Sequence, residues 1–220
     1  MREDMTRAEM VEKCRRDRDK LTRKMMALYP EFEGQMPSAW IEDLIPSLCG
    51  FRVDTFPLPK GQLGICDMGN RLILTNSQMA TFVGSGVCLE RLRKATLGHE
   101  LGHSRLHVDE FDQFISLHDR WQKTSDPRFL QRESEADLYA AVFLVPGSLL
   151  LANPKGQELY LAWRGNREIK SGRLKYLISA LAIDFGVTYT LMRRSLEERG
   201  WLCCYWETKT LALSPRKATE

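Results

Sequence analysis

The sequence lacks a long hydrophobic run, an excess of either charge, and a regular cysteine framework. No apolar stretch approaches the roughly 18 residues that a membrane span requires, so no membrane association is expected. The first thirty residues, MREDMTRAEMVEKCRRDRDKLTRKMMALYP, hold no apolar core of the kind a secretion signal carries, which makes a cytoplasmic location the expectation. The 32 basic and 29 acidic residues nearly cancel, and so even a balance does not single out nucleic acid or anionic lipid as the main partner. Cys14, Cys49, Cys66, Cys88, Cys203 and Cys204 form no C-x-x-C pair and are expected to be mostly reduced. Internal repeats and low-complexity segments are also missing.

What is present suits one buried core: 220 residues, 43% of them hydrophobic, suffice for one domain with a small appendage. Three segments are expected, a charged N-terminal helix (1–36), a central domain (37–153) and a C-terminal helical subdomain with its tail (154–220). Residues 2–28 are strong helix formers with a broken apolar pattern (Met5, Met10, Val11, Leu21, Met25, Leu28), which predicts a mostly solvated helix ending before Pro30. Ser38 is placed to cap a short amphipathic helix, AWIEDLIPSLC, stopped at Gly50. FRVDTFPL, QLGICDM and RLILTNS read as strands, the last two joined at Gly69-Asn70, and together predict a small antiparallel three-stranded sheet. From Leu89 the pattern is helical, over 90–107, 111–122 and 132–145, up to Pro146-Gly147. A helical pair follows in LKYLISALAIDFGVTYTLMRRSLEERG, and the tail WLCCYWETKTLALSPRKATE reads as apolar and aromatic at first, then polar and frayed. The expected class is α+β.

Three of the four histidines fall in ATLGHELGHSRLH. His99, Glu100 and His103 form H-E-x-x-H. On a helix, residues i and i+4 lie about 5–6 Å apart on one face, so both imidazoles reach one ion while the intervening Glu sits beside its open position. Zinc held by three protein ligands brings water toward ionisation near neutral pH, and a carboxylate alongside can take the proton. This points to a zinc hydrolase with Glu100 as its base. His107 shares the face but lies about 12 Å from His99 along a straight helix, which makes it a core or supporting histidine. Asp109 stands where helices that bend at a glycine supply a third ligand, but the bending position here is Leu106, leaving it a minor candidate.

Better third ligands lie in QRESEADLYAAVFLVP. Ala136, Ala140, Phe143 and Leu144 form an apolar stripe with Tyr139 at its edge, and the small alanines permit close approach of another helix. Glu133 and Glu135 flank the stripe on opposite sides, and periodicity alone does not choose between them. Asp137 is placed either to orient an imidazole through its second nitrogen or as a solvated charge.

HELGHSRLH followed about thirty residues later by ESEADLYAAVFLVP resembles the ImmA/IrrE family of zinc-dependent metallopeptidases, over about residues 38–200. The resemblance implies a zincin-like helical core, a zinc ion on His99, His103 and Glu135, with Glu133 the alternative, and Glu100 as general base. It further implies limited proteolysis of a regulatory protein such as a helix-turn-helix repressor. Tyr139 and Val145 depart from the family's usual Phe and Met; the Tyr139 hydroxyl is either an oxyanion donor or the tip of a core tyrosine.

The C-terminal pair carries a second reading, a DNA-binding regulator with zinc as a structural or sensing ion. Gly186 marks a turn, Thr188 caps a second helix, and Leu191, Met192 and Leu196 form its apolar face, which would send Tyr189, Thr190, Arg193 and Arg194 toward a groove. Glu197 and Glu198 oppose the basic pair, so DNA contact is the lesser expectation.

Overall fold

The computed structural model describes residues 5–108, 126–205 and 210–214. Helix α1 (Arg7–Leu28) opens with a capping box, in which Glu9 accepts from the Thr6 amide at 2.8 Å and Thr6 Oγ1 accepts from the Glu9 amide at 3.3 Å. Met10, Cys14, Leu21 and Met25 are buried, while more than half of the helix's residues are exposed, so it is mostly solvated as expected but with one buried face. Counting Cys14 as a small hydrophobe resolves the broken pattern into one stripe, 10, 14, 21 and 25, all within about 60° of helix rotation.

Helix α2 (Pro37–Leu44) starts one residue before the expected Ser38 cap, since Pro37 is pre-set for a first helical position and needs no amide partner. The Ser38 hydroxyl instead donates to the Phe185 carbonyl at 2.6 Å, tying α2 to the C-terminal region. A wide π turn (Ile45–Cys49) carries Pro46 and ends at Gly50, whose φ of +70° gives the expected stop.

Strands β1 (Arg52–Phe56), β2 (Gly64–Asp67) and β3 (Leu72–Asn76) are ordered β1-β3-β2. The hairpin forms between β2 and β3, with Asp67 accepting from the Asn70 amide at 2.9 Å and Arg71 taking the left-handed position at φ +49°. The all-antiparallel expectation is corrected at β1, which runs parallel to β3 with Val53 opposite Ile73. Alternation assigns residues to faces and is blind to the direction of the neighbouring strand.

Helices α3 (Leu89–Leu106) and α4 (Pro127–Leu144) form the centre and run antiparallel: Gly98 lies against Ala140 and Leu144, and Gly102 against Ala136 and Tyr139. Helix α4 begins five residues earlier than its apolar pattern, because Asp126 accepts from the Arg128 amide at 2.9 Å and Pro127 supplies the first position. The helix expected over 111–122 lies outside the described residues. Helices α5 (Gly147–Ala152), α6 (Pro154–Arg164), α7 (Ser171–Asp184) and α8 (Tyr189–Glu198) follow, with a bend of 107° between the last two. Beyond them the tail is not frayed throughout: β4 (Leu202–Tyr205) and β5 (Thr210–Leu213) pair antiparallel, and buried Trp201 packs on Tyr160 and Trp163.

The protein is therefore α+β with a small mixed sheet. One buried core runs through all three expected segments, from Met10 to Leu202. No single helix among the described residues is long and apolar enough to cross a membrane.

Candidate metal centre

Helix α3 presents His99 and His103 on one face, their Nε2 atoms 3.1 Å apart. Across from them, α4 brings Glu133, with one carboxylate oxygen 3.3 Å from His99 Nε2 and the other 3.3 Å from His103 Nε2. Ligand atoms of the three side chains all lie within 4.8 Å of one another, so the group could hold a metal ion.

Glu135, the third ligand that the family resemblance implied, is not brought to this pair. Its Oε2 lies 3.0 Å from His107 Nε2, and its Oε1 accepts from Gln131 Nε2 at 2.9 Å. Helix rotation explains the difference: Glu133, Asp137 and Ala140 follow one another at helical spacing toward His99, whereas Glu135 is about 200° round from Glu133 and meets the C-terminal end of α3.

Two glycines allow the approach. A Cβ at Gly102 would lie 2.9 Å from the Ala136 carbonyl oxygen and 3.0 Å from Ala136 Cα, and one at Gly98 would lie 2.8 Å from Leu144 Cδ1. The small faces of both helices thus set how far Glu133 reaches: the alanines that the sequence marked for close approach, Ala136 and Ala140, lie opposite Gly102 and Gly98.

Both rings are held from behind. Asp137 Oδ1 lies 2.8 Å from His99 Nδ1, in the orienting role considered for it, and Asp137 Oδ2 accepts from Arg194 Nη1 at 2.8 Å. Arg194 Nη2 also donates to the carbonyl and hydroxyl oxygens of Ser134, each at 3.1 Å. His103 Nδ1 lies 3.1 Å from His107 Nδ1. Burial by itself would lower the His99 pKa, but hydrogen bonds to Asp137 and Glu133 and the charge of Glu100 outweigh it and raise the value to about 10. Burial opposes ionisation of Glu133 too, yet its contacts with His103 and His99 hold it well below the usual carboxylate range. The two shifts are reciprocal: the carboxylates favour a charged His99, and the imidazoles favour an ionised Glu133.

Glu100 is buried, at 3% exposure, and its Oε2 has no hydrogen-bond partner among the described residues. Strand β2 presses on it: a Cβ at Gly64 would lie 2.8 Å from Glu100 Oε1 and 2.5 Å from Thr96 Cγ2. A buried acceptor left unpaired costs about 1–3 kcal/mol and more when charged, which marks this oxygen as poised for a group that the protein itself does not supply. The donor set of two imidazoles and a carboxylate, with that oxygen beside it, fits a zinc ion and its water. The centre opens into a cleft of about 890 Å³, walled by His99, Glu100, Glu133 and Asp137 on one side and by Ile183 and Tyr189 of the C-terminal helices on another.

Tyr139 takes no part. It is fully buried, and its hydroxyl donates at 2.6 Å to Asp17 of α1, which also accepts from Arg105 Nε at 2.9 Å. Burial and the Asp17 charge push the phenol pKa well up, so it stays a donor there and is not an oxyanion donor. The residues expected at a DNA groove are also engaged otherwise: Arg194 is bound to Asp137, Arg193 Nε lies 3.3 Å from Glu197, and Tyr189 and Thr190 line the cleft. Asp109 lies outside the described residues.

No family model matches the chain, and no curated protein matches its sequence. The chemistry of the site rests on its own geometry.

Proposed function

We propose that the protein is a zinc-dependent metallopeptidase that performs limited proteolysis of a regulatory protein, with a helix-turn-helix repressor as the expected kind of target and the cytoplasm as the place of action. The observation that carries this reading is the convergence of His99, His103 and Glu133 next to the unpaired Oε2 of Glu100 at an open cleft. His99, His103 and Glu133 would hold the ion. Zinc, when bound, supplies the Lewis acidity that activates water and polarises a peptide carbonyl. Glu100 accepts the proton of the attacking water and later delivers it to the leaving amine, for which its Oε2 has no hydrogen-bond partner among the described residues. Gly64 at the start of β2 and the preceding residues Gly61, Gln62 and Leu63 line the same cleft, and β2 is an edge strand paired only with β3 among the described residues, so an extended peptide added beside β2 would gain main-chain hydrogen bonds. In this reading α3, α4 and the sheet make a zincin-like core, and α7 and α8 form a helical subdomain that closes one side.

The 107° bend between α7 and α8 favours a second reading, a DNA-binding regulator, because helix-turn-helix pairs cross at about 90–120°. The binding of Arg194 to Asp137 weighs against it. The test is Glu100→Gln against a mixed peptide library: the unaltered protein cuts a definable subset of peptides, and the variant retains zinc and loses cleavage by about 10²–10⁴-fold. Equal cleavage by both would remove Glu100 from the chemistry.

A further inference from the structure

Glu135 sits behind the metal centre, joined to it through two imidazoles. His107 is completely buried, with its Nδ1 3.1 Å from His103 Nδ1 and its Nε2 3.0 Å from Glu135 Oε2. The His103 and His107 ring centroids are 5.2 Å apart, one helical turn along α3. An imidazole that offers Nε2 to a metal carries its hydrogen on Nδ1. His103 Nδ1–H must then donate to a bare Nδ1 on His107. A neutral His107 with a bare Nδ1 carries its own hydrogen on Nε2, which donates to the Glu135 carboxylate. Every hydrogen in this chain has one direction and ends on an anion, itself steadied by Gln131 at 2.9 Å.

We propose that His107 and Glu135 are positioning residues for the metal: a buried imidazole–carboxylate relay that fixes the tautomer and ring plane of His103 and makes its Nε2 a stronger donor. The inference rests on the metal centre of the proposed peptidase. It gives the two ligating rings equivalent support, His99 from Asp137 directly and His103 from Glu135 through one intervening ring. It also assigns Glu135 a place in the site without making it a ligand.

Zinc affinity measured by competition with a fluorescent chelator tests the relay, with far-UV circular dichroism to establish that each variant is folded. Glu135→Ala should bind zinc about 10–100-fold more weakly, the usual effect of losing a partner behind a ligand, and still saturate. Glu135→Gln, whose amide oxygen accepts the same hydrogen, should recover most of that loss, whereas Glu133→Ala should not saturate. Unchanged affinity in Glu135→Ala would overturn the relay. Loss as complete as in Glu133→Ala would overturn it differently, by making Glu135 a ligand. A second measurement needs no metal: nitrogen-15 spectra of the metal-free protein should show His107 protonated on Nε2 and bare on Nδ1, and the opposite tautomer contradicts the proposal. Failure of the unaltered protein to bind zinc would defeat the peptidase reading, while the tautomer would still decide the relay.

Discussion

Asp137 holds His99 with one carboxylate oxygen and Arg194 with the other, each at 2.8 Å, so helix α8 is fastened through one side chain to a ring of the metal centre. Arg194 completes the clamp with two bonds to Ser134 on α4. The planar fork of an arginine can serve both partners at once, which the point charge of a lysine cannot.

Removing that fork should therefore be felt at the metal. Arg194→Ala is expected to cost about 1.5–3 kcal/mol of folding stability from lost charge-assisted hydrogen bonds, and to weaken zinc binding about 10-fold by freeing Asp137 to turn from His99. Arg194→Lys should restore part of the stability and less of the affinity. Urea titration and chelator competition on the same preparations separate the two effects; unaltered zinc affinity in Arg194→Ala would show that Asp137 holds its position unaided.

Gly102 offers a test of helix approach. In an exposed helix, Gly→Ala ordinarily stabilises by about 1 kcal/mol, but here the new Cβ would lie 2.9 Å from the Ala136 carbonyl oxygen. Gly102→Ala should instead destabilise by about 1–3 kcal/mol and lower zinc affinity, because α3 and α4 must part and draw Glu133 from the imidazoles. Gly172→Ala in α7, where nothing lies within 4 Å, is the control and should be neutral or stabilising. Calorimetric melting of both variants shows whether the signs differ.

Asp17 sets an acid limb in the stability curve. Burial alone would raise its pKa, but hydrogen bonds from Arg105 and Tyr139 outweigh it and hold the carboxyl below its usual value. A carboxyl with a depressed folded-state pKa contributes its stability above the unfolded pKa and loses it as pH falls through the folded one. Stability should thus drop as the pH is taken below about 4. Asp17→Asn should be less stable near neutrality by about 1.5–3 kcal/mol and show a shallower acid limb, measured by urea titration at successive pH values. An unchanged limb would assign the acid sensitivity to other groups.

The parts of this protein that the sequence made legible are those governed by one helix or one turn. The i,i+4 spacing alone puts His99 and His103 on a common face around Glu100, and Gly69-Asn70 announces the β2–β3 hairpin. The choice between Glu133 and Glu135 was not legible, because both flank the same stripe and the rotation of α4 against α3 is decided by contacts at Gly98 and Gly102, far apart in sequence from the carboxylates. The parallel direction of β1 depends on which edge of β3 is free, and the buried face of α1 on treating Cys14 as apolar. The Ser38 hydroxyl found its partner 147 residues away, at Phe185, instead of at its own helix.

The central claim is a zinc ion held by His99, His103 and Glu133. Elemental analysis of the purified protein beside Glu133→Ala and Glu135→Ala, all after equilibration with excess zinc and removal of the unbound ion, tests it most directly. The account predicts about one zinc per chain in the unaltered protein, a reduced but measurable amount in Glu135→Ala, and none in Glu133→Ala. Zinc retained in full by Glu133→Ala, or missing from the unaltered protein, would contradict it.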